Sequence, residues 1–384
     1  MEEKFRQDDK MGSLICFLGK AAFLFKHRNV NLNPEPKKIL IMRSGAIGDV
    51  VMTTPLIKAI RRKFPSAEID YLTGNWSKKV LEGNPQLNRI ISFDDRIVYE
   101  KNWNGVWELI KEIRTERFDL AFVLDKSYHW GVLAYLMGIK QRIGFDRFGE
   151  GFAHNLNVVY DGSKYEGDYN LELVEKLMIS PGARGALGEK VTDRQMKIPL
   201  SEAEEDFATA FFRKNKIRGR TISIIAGGAK NPGQSMDLKR WPLESYISLI
   251  RILSKDHNVL LLGGPSDKDV SERIGHEIKS ANLFDAIGQC GIKESVALMK
   301  RCELVVTHDT GPLHMAAATG TKVIALFGPT PAHRFAPRNA VVLETKTEKC
   351  PCYDIYGNYT ACAEPECMKK ISVEMVLDKI KESF

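Results

Sequence analysis

The chain has 384 residues, with 56 Lys and Arg against 49 Asp and Glu, so its formal net charge at pH 7 is +7. The charges are interspersed, which excludes an acidic disordered chain and a polybasic arm, and we expect no nucleic-acid partner. Seven cysteines, an odd number over so long a chain, argue against a secreted disulfide scaffold. The length predicts two domains, and the mild positive charge suits an enzyme of anionic substrates.

The N-terminal segment, residues 11–28, mixes aromatic, aliphatic and basic side chains. It has no apolar run of the roughly 18 residues that a membrane-spanning helix needs, and no small-residue cleavage site of a signal peptide. The composition favours an amphipathic helix in a membrane interface; a helix packed on the protein's own surface is the alternative. We treat residues 1–36, which include the start of a polar linker, as one N-terminal segment.

After the linker, short apolar runs alternate with helical patterns. Strands are predicted at residues 38–42, 67–72, 89–93 and 119–125, and helices at 49–64 with a turn at Pro55, 107–114 and 130–138. Strands that alternate with helices predict parallel βαβ units with helices on both faces of the sheet. Residues 180–193 are Gly-rich and polar and show no period.

A second series of the same kind follows a predicted helix over residues 201–215, in which Ser201 and Glu204 form a capping box. Strands are predicted at 221–226, 258–264, 303–309 and 322–328, and helices at 243–253, 267–278, 293–301, 312–319 and 372–381. We place a domain boundary near residue 200. The predicted domains are 37–200 and 201–345, and residues 346–384 form a cysteine-bearing loop and a C-terminal helix.

The first motif, MRSGAIGDVV at residues 42–51, joins a strand to a helix. Open parallel sheets bind ligands at such strand ends, and Gly45 and Gly48 allow close backbone approach. The motif is neither a dinucleotide fingerprint nor a Walker A loop. Asp49 falls at the N-cap or in the first turn of the helix, and the alternative to a functional role is that it only caps the helix.

The second motif lies within residues 303–337, where the sequence HDTGPLH joins a buried strand to a helix of small residues. Free amides at the positive end of that helix would make an anion site suited to a diphosphate. The residues around the helix start are Asp309, Thr310, Gly311, Leu313 and His314. The alternative is a tight strand-to-helix turn with a capped helix.

The third motif, AGGAKNPGQSMDLKRWP at residues 226–242, is a Gly-rich loop after a strand and contains Gly228 and Ala229. Lys239 can reach a phosphate as a point charge, or it is an ordinary solvated lysine. We expect Trp241 to anchor the next helix in the core.

Two features suggest metals, and neither does so strongly. Asp267 and Asp269 match a D-x-D spacing, but acidic residues are favoured at a helix start by the helix dipole alone. Four cysteines with C-x-C-x9-C-x4-C spacing lie outside the usual zinc-ribbon pattern: Cys350, Cys352, Cys362 and Cys367. A structural metal or free, redox-active thiols both remain open there, and we expect no catalytic metal and no cofactor.

Together, over about residues 38–345, the three motifs resemble glycosyltransferase family 9, the bacterial ADP-heptose–lipopolysaccharide heptosyltransferases. The strongest markers are the R-x-G-x-x-G-D turn, with Arg43, Gly48 and Asp49, and the D-T-G-P-x-H block at 309–314; ALFGPT at 325–330 and KRWP at 239–242 agree. The resemblance implies an α/β protein of the GT-B fold, with two Rossmann-like domains facing across a cleft. The N-terminal half would bind the acceptor and the C-terminal half the nucleotide-sugar.

The resemblance also implies an inverting, metal-independent transfer of heptose from ADP-heptose to the inner core of lipopolysaccharide, with Asp49 as the catalytic base. Asp125 is the next candidate for that role. The predicted donor-binding residues are Lys239, Asp309, Thr310, Gly311, Leu313, His314, Gly228 and Ala229. The acceptor-side candidates are Arg43, Ser44 and Gly45.

The acceptor implied by the family is a lipid-linked anionic saccharide. With the positive net charge and the N-terminal segment, this predicts a cytoplasmic enzyme attached peripherally to the inner face of the inner membrane.

Three alternatives remain at the level of sequence. Residues 264–267 read GPSD where family members often have an acidic residue directly after the Gly-Gly turn, so another donor such as UDP-N-acetylglucosamine is one alternative. A non-catalytic nucleotide-sugar-binding protein on the same fold is the second. An NAD-dependent enzyme is disfavoured because neither half has the G-x-G-x-x-G turn.

Overall fold

A computed structural model describes residues 35–100, 102–178, 190–231, 234–359 and 364–384, together with Cys16, Gly19 and Asn33. The predicted interfacial helix at 11–28 therefore lies outside the described residues except for Cys16, which is helical and buried, and Gly19. Most of the loop at 180–193 and Cys362 also lie outside them. In the described ranges, no helix combines the length and the apolar character needed to cross a bilayer.

The first sheet has six parallel strands. They are β1 (Lys38–Met42), β2 (Glu68–Gly74), β3 (Arg89–Phe93), β4 (Leu120–Val123), β5 (Gln141–Asp146) and β6 (Leu156–Val159). Their order is β3-β2-β1-β4-β5-β6, and every neighbouring pair is parallel. The strand order reverses between β1 and β4, which is the switch point where open α/β sheets bind ligands.

The helices associated with the first half of the chain alternate with the strands as predicted, but those at 96–99 and 166–178 were not predicted. In chain order, the helices are α1 (Ile47–Val51), α2 (Thr54–Lys63), α3 (Arg96–Tyr99), α4 (Trp103–Glu116), α5 (Tyr128–Leu136) and α6 (Glu166–Met178). The helix predicted over 49–64 is in fact two helices, broken just before Pro55. A proline has no N–H to give to the carbonyl of Val51, and the Thr54 hydroxyl donates to that carbonyl instead, at 2.8 Å.

The second sheet repeats the first. The strands in this half are β7 (Thr221–Ile225), β8 (Lys230–Asn231), β9 (Gln234–Ser235), β10 (Asn258–Leu261), β11 (Leu283–Asp285), β12 (Leu304–His308), β13 (Lys322–Phe327) and β14 (Ala340–Glu344). Apart from the small antiparallel pair β8-β9, they form a parallel sheet in the order β11-β10-β7-β12-β13-β14. Counted along the chain, both sheets have the Rossmann order 3-2-1-4-5-6, and the second switch point lies between β7 and β12.

Among the described residues, six helices of the second half are close to their predicted bounds, whereas two short ones, at 332–335 and 366–370, were not predicted. In chain order, the helices are α7 (Glu202–Lys214), α8 (Leu243–Leu253), α9 (Lys268–Glu277), α10 (Ile292–Lys300), α11 (Gly311–Thr319), α12 (Ala332–Phe335), α13 (Glu366–Lys370) and α14 (Val373–Ser383). The capping box of Ser201 and Glu204 at the start of α7 is confirmed. Trp241 is 1% exposed, and its indole N–H donates to the Ile371 carbonyl at 2.9 Å, so its predicted core position is confirmed.

The chain packs as two units, each built on one sheet. The first comprises Met1–Gly45, Pro55–Lys78 and Pro85–Arg194, and the second comprises Ala46–Thr54, Lys79–Asn84 and Gln195–Phe384. Helix α1 therefore packs with the second unit although its sequence lies in the first half of the chain. The α/β class is confirmed, whereas the acceptor and donor roles of the two halves stay predictions.

Candidate functional site

The second switch point brings the predicted donor-binding residues together. The loop after β7 carries Gly228 and Ala229, and the turn after β12 carries Asp309 and Thr310. Gly228 and Ala229 have left-handed φ angles of 87° and 58°, which a glycine adopts freely and an alanine rarely does. A Cβ added to Gly228 would lie 3.7 Å from the hydroxyl of Thr310, so the two strand-end loops are in close contact.

Asp267 and Arg240 fix the Gly228 loop from both sides. The Asp267 carboxylate accepts the N–H of Gly228 on one oxygen and the N–H of Gly264 on the other, both at 3.0 Å. Arg240 donates twice to the Gly228 carbonyl, at 2.6 and 3.1 Å. Asp267 is buried, and its carboxylate braces two Gly-rich loops, those of Gly228 and Gly264, by connecting them. Sequence reasoning weighed it only as a metal ligand or a helix-start acid and missed this role.

Lys239 and Asp309 form an ion pair in which their side chains are only 11% and 5% exposed. The Lys239 Nζ lies 2.8 Å from Asp309 Oδ2, and it also faces the rings of Tyr353 at 5.4 Å and Phe335 at 5.8 Å. Burial works to raise the pKa of Asp309, but the charge and hydrogen bond of Lys239, together with smaller contributions from His314 and Thr330, hold that pKa below its usual value. Asp309 is therefore an anion that orients the lysine, as a charge-assisted hydrogen bond does.

The start of α11 departs in one detail from the predicted anion site. Thr310 is the N-cap residue and a proline occupies the first turn, as expected. The Leu313 amide, expected to point outward, donates to the Thr310 carbonyl at 3.0 Å, because a helix start often tightens into a three-residue turn. The amide of Gly311, at the first helical position, remains the candidate for contact with a diphosphate.

Helix α1 packs closely against the start of α11 within the second unit. A Cβ added to Gly48 would lie 2.6 Å from Cδ2 of the buried His314, and one added to Gly311 would lie 3.3 Å from the Cβ of Ile47. Only a residue without a side chain fits at Gly48, because a real Cβ is essentially never that close to another atom. The glycine in the R-x-G-x-x-G-D motif thus permits this contact.

Asp49 lies in the first turn of α1, as predicted. Burial lowers the pKa of His314 below its usual value, while the nearby carboxylates of Asp309 and Asp49 work to raise it. The imidazole of His314 is therefore held neutral between two carboxylates. The candidate base and the donor-side ion pair act electrostatically on the same buried side chain.

The acceptor-side candidates lie at the switch point of the first sheet. Asp125, directly after β4, accepts the N–H and hydroxyl of Ser44 at 2.9 and 3.1 Å, and the guanidinium of Arg43 at 3.2 Å. The Gly45 carbonyl accepts the hydroxyl of Ser77 at 2.7 Å. Asp125, the second candidate for the base, thus has both carboxylate oxygens engaged in holding the turn after β1.

Three of the four clustered cysteines are described, and all three are buried: Cys350, Cys352 and Cys367. The sulfur atoms of Cys350 and Cys367 lie 2.9 Å apart. Among the described residues, which exclude Cys362, no group of three His, Cys, Asp or Glu side chains is arranged to hold a metal ion. Two hydrogen bonds hold this loop next to the end of β13, because the amides of Cys352 and Tyr353 both donate to the Pro329 carbonyl. The loop thereby places the ring of Tyr353 beside the Lys239 ammonium.

Comparison with known proteins identifies the family of the chain. The model of glycosyltransferase family 9 (heptosyltransferase) matches residues 106–358, well over half of the chain. The lipooligosaccharide heptosyltransferase 2 of Haemophilus influenzae is 25% identical over 368 residues, which cover 90% of this chain and 98% of that protein.

Solved structures share the fold. The family 9 glycosyltransferase of Veillonella parvula superposes with a TM-score of 0.73 at 22% identity, covering 91% of this chain and 97% of that one. The E. coli ADP-heptose lipopolysaccharide heptosyltransferase II gives 0.68 at 20% identity, covering 90% and 98%. With the two Rossmann-ordered sheets, this likeness confirms the GT-B fold. The chain is a glycosyltransferase that belongs to glycosyltransferase family 9.

Proposed function

We propose that this chain transfers heptose from ADP-heptose to the inner core of lipopolysaccharide, with inversion, without a metal, and with Asp49 as the general base. Family membership supports the enzyme class, and the names of its relatives support the donor and the acceptor. The observation that carries the proposal is that α1, which contains Asp49, packs against the start of α11. Helix α11 begins directly after the turn that carries Asp309, the partner of Lys239.

The step needs one base and one source of positive charge. The acceptor hydroxyl oxygen attacks the anomeric carbon in line with the departing ADP, and Asp49 takes the hydroxyl proton. The bond from carbon to the diphosphate oxygen breaks, and its electron pair leaves with ADP. Lys239 and the start of α11 stabilise that charge. Asp309 is itself negative, so we assign it the task of holding Lys239.

Asp49→Asn tests the base. Asparagine keeps the size of aspartate, and because the N-cap residue of α1 is Ala46 and not Asp49, the change removes a first-turn charge worth only about 0.3–1 kcal/mol. Asparagine cannot accept a proton, and losing a general base typically slows a reaction about 10²–10⁴-fold. We therefore expect kcat to fall by that factor while ADP affinity, measured by calorimetry, stays at the wild-type level.

Asp269→Asn is the matched control, because it makes the same chemical change at an exposed acid in the first turn of α9. It should leave kcat unchanged. An Asp49→Asn enzyme that keeps more than about a tenth of the wild-type rate, well above the general-base range, would mean that another group is the base. An Asp49→Asn variant that unfolds would instead identify a structural cap.

Metal independence has its own test. Because Lys239 and the start of α11 can neutralise the leaving diphosphate, we expect full activity in excess EDTA. Activity that is lost on chelation and restored by Mg²⁺ or Mn²⁺ would contradict the proposal. The bracing hydrogen bonds of Asp267 support the expected result, since they already use both oxygens of the first acid in the D-x-D sequence.

The donor and the acceptor are separable questions. We propose ADP-heptose and a lipid-linked anionic saccharide, handled by an enzyme attached peripherally to the cytoplasmic face of the inner membrane. A panel of ADP, UDP and GDP sugars, with released nucleotide as the readout, tests the donor. Turnover of a UDP sugar alone would overturn ADP-heptose, and binding without transfer or hydrolysis of any donor would indicate a non-catalytic protein.

A further inference from the structure

Helix α4 of the first unit exposes two tryptophans on one side. Trp103 and Trp107 are 72% and 54% exposed; of the other tryptophans, Trp76 is 43% exposed, and Trp130 and Trp241 are 8% and 1% exposed. Residues four positions apart on a helix are neighbours, so the two indoles form one aromatic surface. Large apolar side chains left in water mark interaction sites, and indoles with a polar N–H and an apolar body concentrate at membrane–water interfaces.

The charges of α4 are divided between its two flanks. Its buried side chains, Leu109, Ile110 and Ile113, face the core. With 100° between successive residues, the basic residues Lys111 and Arg114 fall on the same flank as the tryptophans. The acidic residues follow one another along the opposite flank: Glu108, Glu112 and Glu116.

The two basic side chains of this surface each make one contact at its edge. Arg114 donates to the carbonyl of Leu136, at the end of α5, at 3.2 Å, and Leu136 is itself 37% exposed. Lys111 contacts Glu108 at 2.8 Å, with both side chains more than half exposed, and such a pair in water contributes little. We call Trp103, Trp107, Lys111, Arg114 and Leu136 the α4 strip.

The aromatic end of the strip lies at the edge of the sheet that carries the acceptor-side candidates. Glu116, the last residue of α4, contacts Lys38 and Arg89, the first residues of β1 and β3, at 3.2 and 3.0 Å. The C-terminal end of α4 is therefore at the amino edge of the sheet. A helix of 14 residues is about 21 Å long, so Trp103 lies towards the carboxyl edge, the edge of Arg43 and Ser44.

We infer that the α4 strip is a docking surface for a lipid bilayer that contains anionic lipid. The indoles enter the head-group layer, Lys111 and Arg114 face the negative surface, and the exposed glutamates of the opposite flank, Glu108 and Glu112, stay in water. Docking in this orientation brings the carboxyl edge of the first sheet towards the membrane. The inference deepens the proposed function and rests on it only for the lipid-linked nature of the acceptor.

The test is binding of the full chain to vesicles of equimolar phosphatidylcholine and phosphatidylglycerol, measured by co-sedimentation. We expect Trp103→Ser with Trp107→Ser to weaken partitioning about tenfold or more. Lys111→Gln with Arg114→Gln should weaken binding to these vesicles and leave binding to pure phosphatidylcholine unchanged. In the wild type, brominated lipid should quench tryptophan fluorescence, since indoles at an interface lie within reach of the acyl chains.

The matched control is Ile252→Ser with Val341→Ser, which removes exposed apolar side chains of the second unit that are 43% and 40% exposed. It should bind like the wild type. Unchanged vesicle binding by the tryptophan variant would overturn the inference. A second outcome would also overturn the inference: the wild type is a dimer, the tryptophan variant is a monomer, and both bind vesicles equally well. The strip would then be a contact between two copies of the chain.

Two controls keep the outcomes distinct. The first shows whether the tryptophan variant is misfolded, and the second shows whether the proposed transferase function, and not the docking surface, is wrong. If the tryptophan variant loses ADP binding or its cooperative unfolding, quenching by brominated lipid decides instead: it should persist in a Trp76→Phe variant, which removes the other exposed indole, and no quenching in that variant overturns the inference. The vesicles contain neither donor nor acceptor, so an incorrect transferase assignment would leave the vesicle result unaffected. Transfer to a water-soluble acceptor fragment should be the same for the tryptophan variant and the wild type.

Discussion

The Lys239–Asp309 ion pair is almost completely buried, with side-chain exposures of 11% and 5%. Removing one member of a buried pair leaves the other without compensation, at a cost of about 3–5 kcal/mol. A lysine held in this way is both a structural group and a candidate phosphate contact. A single substitution of Lys239 therefore changes both the free energy of unfolding and the affinity for ADP, and a second substitution is needed to separate the two effects.

We expect Lys239→Met to weaken ADP binding by about 1.5–3 kcal/mol, the value of a hydrogen bond to a charged group, which is roughly 10- to 100-fold in Kd. The same variant should lower the free energy of unfolding, because Asp309 loses its partner. Adding Asp309→Asn removes the leftover charge and should recover most of that stability without recovering ADP affinity. Calorimetry with ADP and urea denaturation measure the two quantities.

The double variant decides what Lys239 does. If ADP affinity returns together with stability, Lys239 serves only to neutralise Asp309, and the donor-site prediction is wrong. Asp309→Ala alone should also weaken ADP binding, because a lysine without its acceptor no longer keeps one orientation.

At the residue level, the sequence predicted groups in the motifs that follow strand ends. Lys239, Asp309 and Asp49 were predicted from their places in these motifs, and their roles in binding and catalysis stay predictions. The roles of Asp267 and Arg240 could not be found in this way, since each is defined by a hydrogen bond to the Gly228 loop. Tyr353 was missed for a similar reason, because it reaches Lys239 from the cysteine-bearing loop.

At the level of elements, α1 and α11 pack closely against each other in the candidate site. Two short backbone approaches, at Gly48 and at Gly311, set the position of α1 and therefore of Asp49. A change at Gly48 tests whether this position matters, because it acts on the contact without removing any functional group.

We expect Gly48→Ala to destabilise the protein by about 1–3 kcal/mol, the usual cost of overpacking, and to lower kcat by tenfold or more, since a shift of about 1 Å in a catalytic group can cost 10²-fold. Gly275→Ala is the control: this glycine is in α9, nothing lies within 4 Å of its added Cβ, and alanine favours a helix. It should be neutral or stabilising. Thermal unfolding and turnover check both variants, and identical behaviour would show that the approach at Gly48 is not required.

Elements with a strong apolar period were predicted nearly to the residue, as β1, β3 and α8 illustrate. The strands that were missed are weaker in sequence: β5 reads QRIGFD, with polar residues and a glycine in its run although most of it is buried, and β8, β9 and β11 have only two or three residues each. β6 and β14 are the last strands of their sheets, and each has a single buried position, so neither shows the continuous apolar run of a strand covered on both faces. The break between α1 and α2 was placed slightly late, because the side-chain bonds of two threonines end the first helix before the proline is reached.

At the scale of the whole molecule, buried histidines predict how stability depends on pH. Burial lowers the pKa of His154, in the first unit, to about 4, and that of His308, in the second, to about 3. Unfolding returns both to about 6.5, so between these values the unfolded chain binds more protons than the folded one. Stability must therefore fall as pH falls through this window.

We expect the free energy of unfolding to drop by about 1.4 kcal/mol per pH unit for each such histidine below about pH 6. Urea denaturation at about pH 8 and about pH 5 measures the slope. His308→Asn should reduce the slope, whatever it does to stability at neutral pH, whereas His276→Gln, at an exposed position of α9, should leave it unchanged. Equal stability at both pH values would contradict the prediction.

The overall class was predictable because alternating strands and helices have few solutions, and both sheets adopt the same one. That order places every site candidate at a carboxyl strand end, as the motifs suggested. The packing of Ala46–Thr54 with the second unit was not predictable, because local periodicity carries no information on contacts between segments far apart in sequence.

That packing has a consequence for how the protein is made. Ile47 and Gly48 leave the ribosome early, but their partner helix α11 is translated about 260 residues later, which at about 5–20 residues per second is roughly 15–50 seconds. During this interval the first sheet can form while α1 lacks its contact with α11. The placement of the candidate base is thus among the last events of folding on the ribosome, completed only when nearly the whole chain has been synthesised.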